Sequence, residues 1–366
     1  MGLYESEPVV HLRPEILSLP AYKQGRPASA ESFKLSSNEN PAPTPRWVDD
    51  AINEATVGRY PESTSLNVRS QLATVWGCDV EEIIVGAGSV SILYQLIQAT
   101  SGPGDNIVFA WRAFEAYPWT AVVAGAEARK IPNLPDHSHD LDAMAAAIDD
   151  RTRVVMLCTP NNPTGTAITT EDFERFMTKV PPTVLVILDE AYAEFSMNPE
   201  IVRGEEQKGR YPNLVILRTF SKAWGLAGLR IGFAVGHRSI LGAANSTAIP
   251  MVVTEQAQRA ALAVLDHSDD ALAIVRDIVE RRNELWNSLR EQGWEIPHAH
   301  GNFVWLPTGS NTDAAAAILE RGGIVARVFS GDGIRVTVGE PESIPVLLAA
   351  TARIVAANLH HGEPNG

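Results

Sequence analysis

Cysteine is scarce in this chain: Cys78 and Cys158 are the two among its 366 residues. They lie far apart and lack the paired spacing of a metal site, which argues against a disulfide framework or thiolate centre and points to buried free thiols. Basic residues are outnumbered, 30 against 44 acidic ones, for a formal net charge of -14. Such a surface repels phosphate backbones and anionic lipid, so nucleic acid and membranes are poor partners. No apolar run approaches the roughly 20 residues that cross a bilayer. The first twenty residues carry Glu5, Glu7 and Arg13 and hold no signal-peptide core. A cytoplasmic location is the expectation. Internal repeats and low-complexity tracts are also missing.

Apolar residues make up 45% of the chain and charged residues 20%, as in soluble globular proteins. Its length suggests two domains. Residues 1–36 are rich in Pro and Ser without a sustained period and read as an extended arm. Beyond it, short β-rich runs alternate with helical stretches. Candidate strands are 82–85, 106–110, 128–131, 153–158, 183–188, 214–217 and 230–235. Several are near-continuous in Val, Ile and Leu, the mark of a mostly parallel sheet buried on both faces. An α/β domain over residues 37–245 follows. A long amphipathic helix comes next, with Ser268 as N-cap, an apolar stripe of Ala271, Val275, Ile278, Leu285 and Leu289, and Gly293 as its stop. Strands near 303–306, 324–328 and 333–338 and helices near 313–321 and 344–359 complete a smaller α+β domain, 246–366. The tail from His360 reads as disordered.

The strongest chemical signal is the run Thr219-Phe220-Ser221-Lys222, with Arg230 eight residues further on. A lone Ser-Lys pair reads as a surface loop. Here a lysine just after a buried strand is flanked by two hydroxyls, Thr219 and Ser221, and a guanidinium, the groups that hold a phosphate monoester. A Schiff-base lysine beside a phosphate cradle describes a pyridoxal phosphate site. Asp189 ends the run Val184–Leu188. Many such Asp residues are caps, but a carboxylate there can also pair with a pyridine nitrogen and keep it protonated. Tyr192, three residues on, is placed to reach the ring's phenolic oxygen. The turn Thr159–Gly165 sets Asn162 at a strand's carboxyl end, where open α/β sheets bind ligands. Gly86-Ala87-Gly88-Ser89 stands between a strand and a helix. Ser91 occupies the place of a third glycine, so a helix N-terminus that binds phosphate, with Gly88 and Ser89, fits better than a dinucleotide fold.

In order along the chain, these motifs resemble the class I/II aminotransferases of the type I pyridoxal-phosphate fold. The likeness is to the branch of histidinol-phosphate and actinobacterial aromatic amino acid aminotransferases. It runs from about Leu12 to Val355 through Leu35–Pro41, Arg59–Pro61, Asn161–Gly165, Asp189–Tyr192, the Lys222 segment, Asn302–Val304 and Gly333–Gly339. The resemblance implies a large domain with a seven-stranded, mostly parallel sheet, a smaller α+β domain and an N-terminal arm. It implies that Tyr60 reaches the cofactor phosphate of a partner subunit, making a homodimer the functional unit. It further implies that Phe114 stacks on the pyridine ring, that Asn38 and Arg335 bind substrate, and that Arg335 takes the α-carboxylate. Arg327 is the candidate for a second anionic group, with a rim charge as the alternative.

The reaction implied is transamination between an amino acid and a 2-oxo acid such as 2-oxoglutarate, with Lys222 as the catalytic base. The block Trp111–Pro118, Leu226–Arg230 and Phe303–Pro307 resemble the aromatic branch. Phenylalanine and tyrosine are the expected donors, with tryptophan as a further candidate and histidinol phosphate as the alternative. A decarboxylase of the threonine-phosphate type and a non-catalytic binding module are competing readings. Trp305 reads as core. His137/His139 and His298/His300 read as residues of solvated loops rather than metal ligands.

Overall fold

The computed structural model describes residues 10–19 and 31–362. Residues 1–9 and 20–30 of the expected arm and 363–366 of the expected tail lie outside the described residues. Eleven strands are present among the described ones: β1 (Phe33–Leu35), β2 (Ile83–Gly86), β3 (Asn106–Trp111), β4 (Glu127–Pro132), β5 (Thr152–Cys158), β6 (Leu185–Asp189), β7 (Leu214–Thr219), β8 (Gly232–Gly236), β9 (Phe303–Leu306), β10 (Ile324–Phe329) and β11 (Gly333–Thr337).

Seven of them form one sheet in the order β2-β8-β7-β6-β5-β3-β4. The pairs β4/β3, β3/β5, β5/β6 and β6/β7 are parallel, while β8 runs antiparallel to both β7 and β2. β5, β6 and β7 lie at the centre with nearly every residue buried, as a sheet covered by helices on both faces requires. The seven strands expected from the sequence are the seven of this sheet. β1, β10, β11 and β9 make a second, four-stranded sheet. Against it packs the helix Ser268–Glu291, whose expected stripe Ala271, Val275, Ile278, Leu285 and Leu289 is buried. Arg282 is buried in the same stripe, donating to the carbonyls of Phe195 and Gly301 at 2.9 and 3.1 Å. Trp305 is buried, as expected of core.

Packing divides the chain differently from the expected boundaries in two places. The end of the presumed arm, Phe33–Leu35, is a strand of the smaller sheet, parallel to β10. The helix Glu255–Asp266, expected in the small domain, buries Ala257, Ala260, Ala261 and Val264 in the core beneath the large sheet. That helix therefore shares its core with the large sheet. Ser268 is the first helical residue, with His267 in the N-cap position. Of the histidine pairs, His139 is buried rather than solvated, and burial pushes its pKa down to about 4. No group of three or more His, Cys, Asp or Glu suited to a metal exists among the described residues.

One backbone contact fixes the start of the helix Ser89–Thr100 against the sheet. A Cβ on Gly232 would stand 2.4 Å from the Ser89 nitrogen and 2.9 Å from the Arg218 carbonyl oxygen. Neither atom is a side-chain end that can swing away. Gly232→Ala is therefore expected to destabilise the protein by about 2 kcal/mol, the usual scale of overpacking. An unchanged urea midpoint would show that this approach is not a constraint.

Candidate active site

Open α/β sheets present their ligand-binding groups at the carboxyl ends of the strands. Here β5, β6 and β7 are neighbours, with Cys158 in register with Asp189 and Asp189 with Leu217. Their ends deliver Asn162, Asp189 and the Thr219–Lys222 segment to one place.

Asp189 is buried. Its carboxylate accepts from the Tyr117 hydroxyl at 2.8 Å and the Ala191 N–H at 3.2 Å, and no Lys or Arg among the described residues forms an ion pair with it. Burial pushes its pKa up to about 6, although the Tyr117 and Ala191 hydrogen bonds favour the anion. Tyr117 is itself fully buried, and its hydroxyl is pushed well above the normal range by burial and by the Asp189 charge. Tyr117 escaped the sequence reading. Its signal was a phenol at the start of the uncharged helix Tyr117–Ala124.

Lys222 follows β7 in a loop, half-buried, with Nζ donating to the Ser37 carbonyl at 2.9 Å. Its pKa is lowered to about 7, first by burial and then by the positive charge of Arg335. Near neutral pH a substantial share of the amine is therefore unprotonated and nucleophilic. Nζ lies 5.8 Å from the Tyr192 ring centroid. The Tyr192 hydroxyl accepts from Asn38 Nδ2 at 3.0 Å, and burial holds its pKa up at about 12. Asn38 is fully buried and is fixed by Thr337, whose hydroxyl donates to Asn38 Oδ1 and accepts from its N–H, both at 2.9 Å.

The smaller sheet supplies Arg335. Its Nη1 donates to Asn162 Oδ1 and its Nη2 to the Ser36 carbonyl, each at 2.6 Å. The residues expected to hold a phosphate also lie near one another. Arg230 Nη1 lies 3.3 Å from Ser221 Oγ, and Thr219 Oγ1 accepts from the Ser221 N–H at 3.1 Å. A Cβ on Gly88 would stand 2.7 Å from Arg230 Nη2, so only glycine leaves the guanidinium this place. Ser89 opens the helix beside it, where backbone N–H groups and the helix dipole favour an anion. Phe114 stands edge-on to Tyr117 with centroids 5.7 Å apart.

Two expected residues are placed differently, although Arg327 is the cross-strand partner of Arg335 on β10/β11. Tyr60 is 86% exposed. Arg327 is engaged by Glu115, to which Nη2 donates at 2.7 Å. Behind the Lys222 loop, a buried charge cluster also went unread. Arg218 bridges Glu190 at 3.1 Å and Glu194 at 2.7 Å, and Trp224 Nε1 donates to the same Glu194 oxygen at 3.0 Å. It ties the residues after β6 to the loop after β7.

These groups fit pyridoxal phosphate. A buried carboxylate without a cation, an amine of lowered pKa and a cradle that a Cβ would fill match the ring nitrogen, the aldehyde carbon and the phosphate of that cofactor. The fit carries a stability signature in the cofactor-free protein. The folded pKa of Asp189, about 6, lies above the ~3.9 of an unfolded carboxylate, so the folded chain binds the proton more tightly and loses stability as pH rises from about 4 to about 6. Cofactor-free Asp189→Asn is expected to be more stable than its parent by about 1–3 kcal/mol near pH 8, with the difference vanishing near pH 4. Denaturation at both pH values checks this. Equal stabilities near pH 8 would mean that the carboxylate is not strained by burial.

The family model for class I and II aminotransferases matches residues 30–350. An aromatic amino acid aminotransferase of Streptomyces avermitilis is 46% identical over 353 residues, covering 95% of this chain and 98% of its own. One from Thermobifida fusca is 43% identical over 338 residues, covering 91% and 94%. Among solved structures, a histidinol-phosphate aminotransferase from Sinorhizobium meliloti in complex with pyridoxal 5'-phosphate has a TM-score of 0.85 at 24% identity, over 95% of this chain and 98% of that one. A threonine-O-3-phosphate decarboxylase from Porphyromonas gingivalis shares the fold at a TM-score of 0.75 and 22% identity, over 88% and 99%. On the family model and on relatives this similar along nearly its whole length, the chain belongs to the class I and II aminotransferases, enzymes that use pyridoxal phosphate.

Proposed function

We propose that the chain works as a cytoplasmic homodimer that transfers the amino group of aromatic L-amino acids, phenylalanine and tyrosine foremost, to a 2-oxo acid such as 2-oxoglutarate. The observation that carries the aromatic reading is the likeness, at 46% and 45% identity, to Streptomyces proteins named aromatic amino acid aminotransferases. The histidinol-phosphate and threonine-phosphate enzymes are neighbours in fold. No helix among the described residues is long and apolar enough to cross a membrane.

Pyridoxal phosphate, when bound, supplies a ring that accepts electrons from the substrate carbon. In this reading Asp189 keeps a proton on the ring nitrogen, and Tyr117 orients that carboxylate. Asn162, whose Oδ1 is engaged by Arg335, has its amide N–H groups left to donate to the phenolic oxygen alongside Tyr192. Phe114 lies against the ring. Gly88, Ser89, Thr219, Ser221 and Arg230, with Tyr60 of the partner subunit, hold the phosphate. Arg335 takes the α-carboxylate in a two-pronged bond, as guanidinium does. Asn38 supports Tyr192 and borders the substrate. Lys222 attaches the cofactor and then moves the proton at the substrate Cα, a role its pKa of about 7 suits.

Phenylalanine is expected to convert the bound cofactor to its aminated form at far lower concentration than histidinol phosphate, followed by absorbance. The reverse preference would transfer the enzyme to the phosphate-bearing substrate. Lys222→Ala is expected to lose the absorbance of lysine-bound cofactor and to slow turnover by at least about 10²-fold. Retained turnover would remove Lys222 from the mechanism. The exposed Tyr60 predicts a sedimentation mass of twice the 39.6 kDa chain. A monomer with full activity would contradict the partner's role.

A further inference from the structure

In the proposed mechanism the Lys222 amine serves two atoms in turn, the aldehyde carbon of the cofactor and the substrate Cα. A group with that task has to be held to within about 0.5 Å. The lysine side chain is long and flexible, and the loop that carries it lies between β7 and the turn Ala227–Leu229. What anchors this loop is one oxygen. Glu194 Oε1 accepts from Arg218 Nη2 at 2.7 Å and from Trp224 Nε1 at 3.0 Å. Arg218 comes four residues before Lys222 and Trp224 two residues after it, so a single acceptor closes both ends of the loop.

The acceptor is itself fixed. Glu194 lies in the turn Ala193–Phe195, next to Tyr192, and the Tyr192 ring centroid is 5.8 Å from Lys222 Nζ. Arg218 is held from its other side by Glu190 at 3.1 Å, and Glu190 accepts from the Gly204 N–H at 2.7 Å. The side chains of Glu190, Glu194 and Arg218 are 0%, 6% and 15% exposed, so water competes little for these bonds. Trp224 packs against both the core of the large sheet and that of the smaller one. Its ring supplies contact area and its N–H supplies direction. Buried ion pairs seldom stabilise a fold more than apolar packing of the same volume, and fixing register is their best-attested use.

We propose that Glu194 is a positioning residue for the transamination: by holding Arg218 and Trp224 on one carboxylate oxygen it fixes the loop between them, and with it the line along which the Lys222 amine approaches. The proposal rests on the reading of Lys222 as the cofactor-bearing lysine and names the device that aims its amine. Loss of the Trp224 bond frees the trailing end of the loop and leaves Asp189 and Arg335 in place. The proton transfer at Cα then slows, because the amine is no longer aimed, while binding of the α-carboxylate is spared.

The test compares the parent holoenzyme with three variants. Trp224→Phe removes one N–H and keeps an aromatic ring, Glu194→Gln keeps an acceptor oxygen and drops the charge, and Glu194→Leu removes both. Trp224→Phe and Glu194→Leu are expected to lower kcat about tenfold, with KM for phenylalanine unchanged within about threefold. Both are also expected to speed hydrogen exchange of the amides in residues 219–226 about tenfold. Glu194→Gln is expected to stay within about threefold of the parent in each reading. Unchanged kcat or unchanged exchange in Trp224→Phe overturns the proposal. So does a Glu194→Gln as impaired as Glu194→Leu, which would assign the effect to charge instead of position. If Glu194→Leu does not fold, Trp224→Phe decides by the same readings. Failure of the Lys222 reading shows separately, as a Lys222→Ala variant that retains the absorbance of lysine-bound cofactor.

Discussion

The carboxylate of Asp189, buried at the end of a central strand without a cation beside it, is the constraint around which the rest of the site is arranged. Burying a charge is unfavourable unless it is paired. Among the described residues its compensation within the protein stops at one phenol and one backbone N–H. That leaves a carboxylate whose pKa has climbed to about 6 and whose partner, in the proposed mechanism, is a protonated ring nitrogen. A structure with a stability optimum at this position would have carried an amide or an apolar side chain. The strain is located where the proposed mechanism needs a fixed negative charge, and this is a familiar property of functional sites.

Lys222 shows the same logic with the opposite sign. Burial and Arg335 lower its pKa to about 7, which makes it a nucleophile and a proton carrier near neutral pH. Arg335 thus acts twice, placing the α-carboxylate in the proposed mechanism and depressing the lysine before substrate arrives. The surrounding scaffold keeps these groups from relaxing. Arg218, Glu190, Glu194 and Trp224 tie the segment after Asp189 to the loop that carries Lys222, and the close approach of Gly232 to Ser89 fixes the start of the helix proposed to hold the phosphate.

Much of this was legible in the sequence because it depends on local pattern. β5, β6 and β7 are continuous apolar runs, and Asn162, Asp189 and Lys222 follow them within a few residues, so strand and chemistry could be read together. What escaped depends on which surfaces meet. Tyr117 matters because its helix, packed against β3 and β4, brings the hydroxyl to the end of β6. Glu115 meets Arg327 because the β10–β11 hairpin lies across from it. The helix Glu255–Asp266 has an amphipathic pattern that says nothing about which core it enters, and the three residues of β1 are too few to carry a period. His139 sits in a polar stretch of sequence and is buried by tertiary packing alone.

The central claim is that Asp189 remains ionised beside the cofactor and holds a proton on its ring nitrogen. Nitrogen-15 NMR of holoenzyme prepared with ring-labelled pyridoxal phosphate reads that proton directly. The account predicts a protonated nitrogen through pH 8 in the parent and an unprotonated one in Asp189→Asn. An unprotonated nitrogen in the parent would contradict the assignment of Asp189, and with it the reason for burying a carboxylate there.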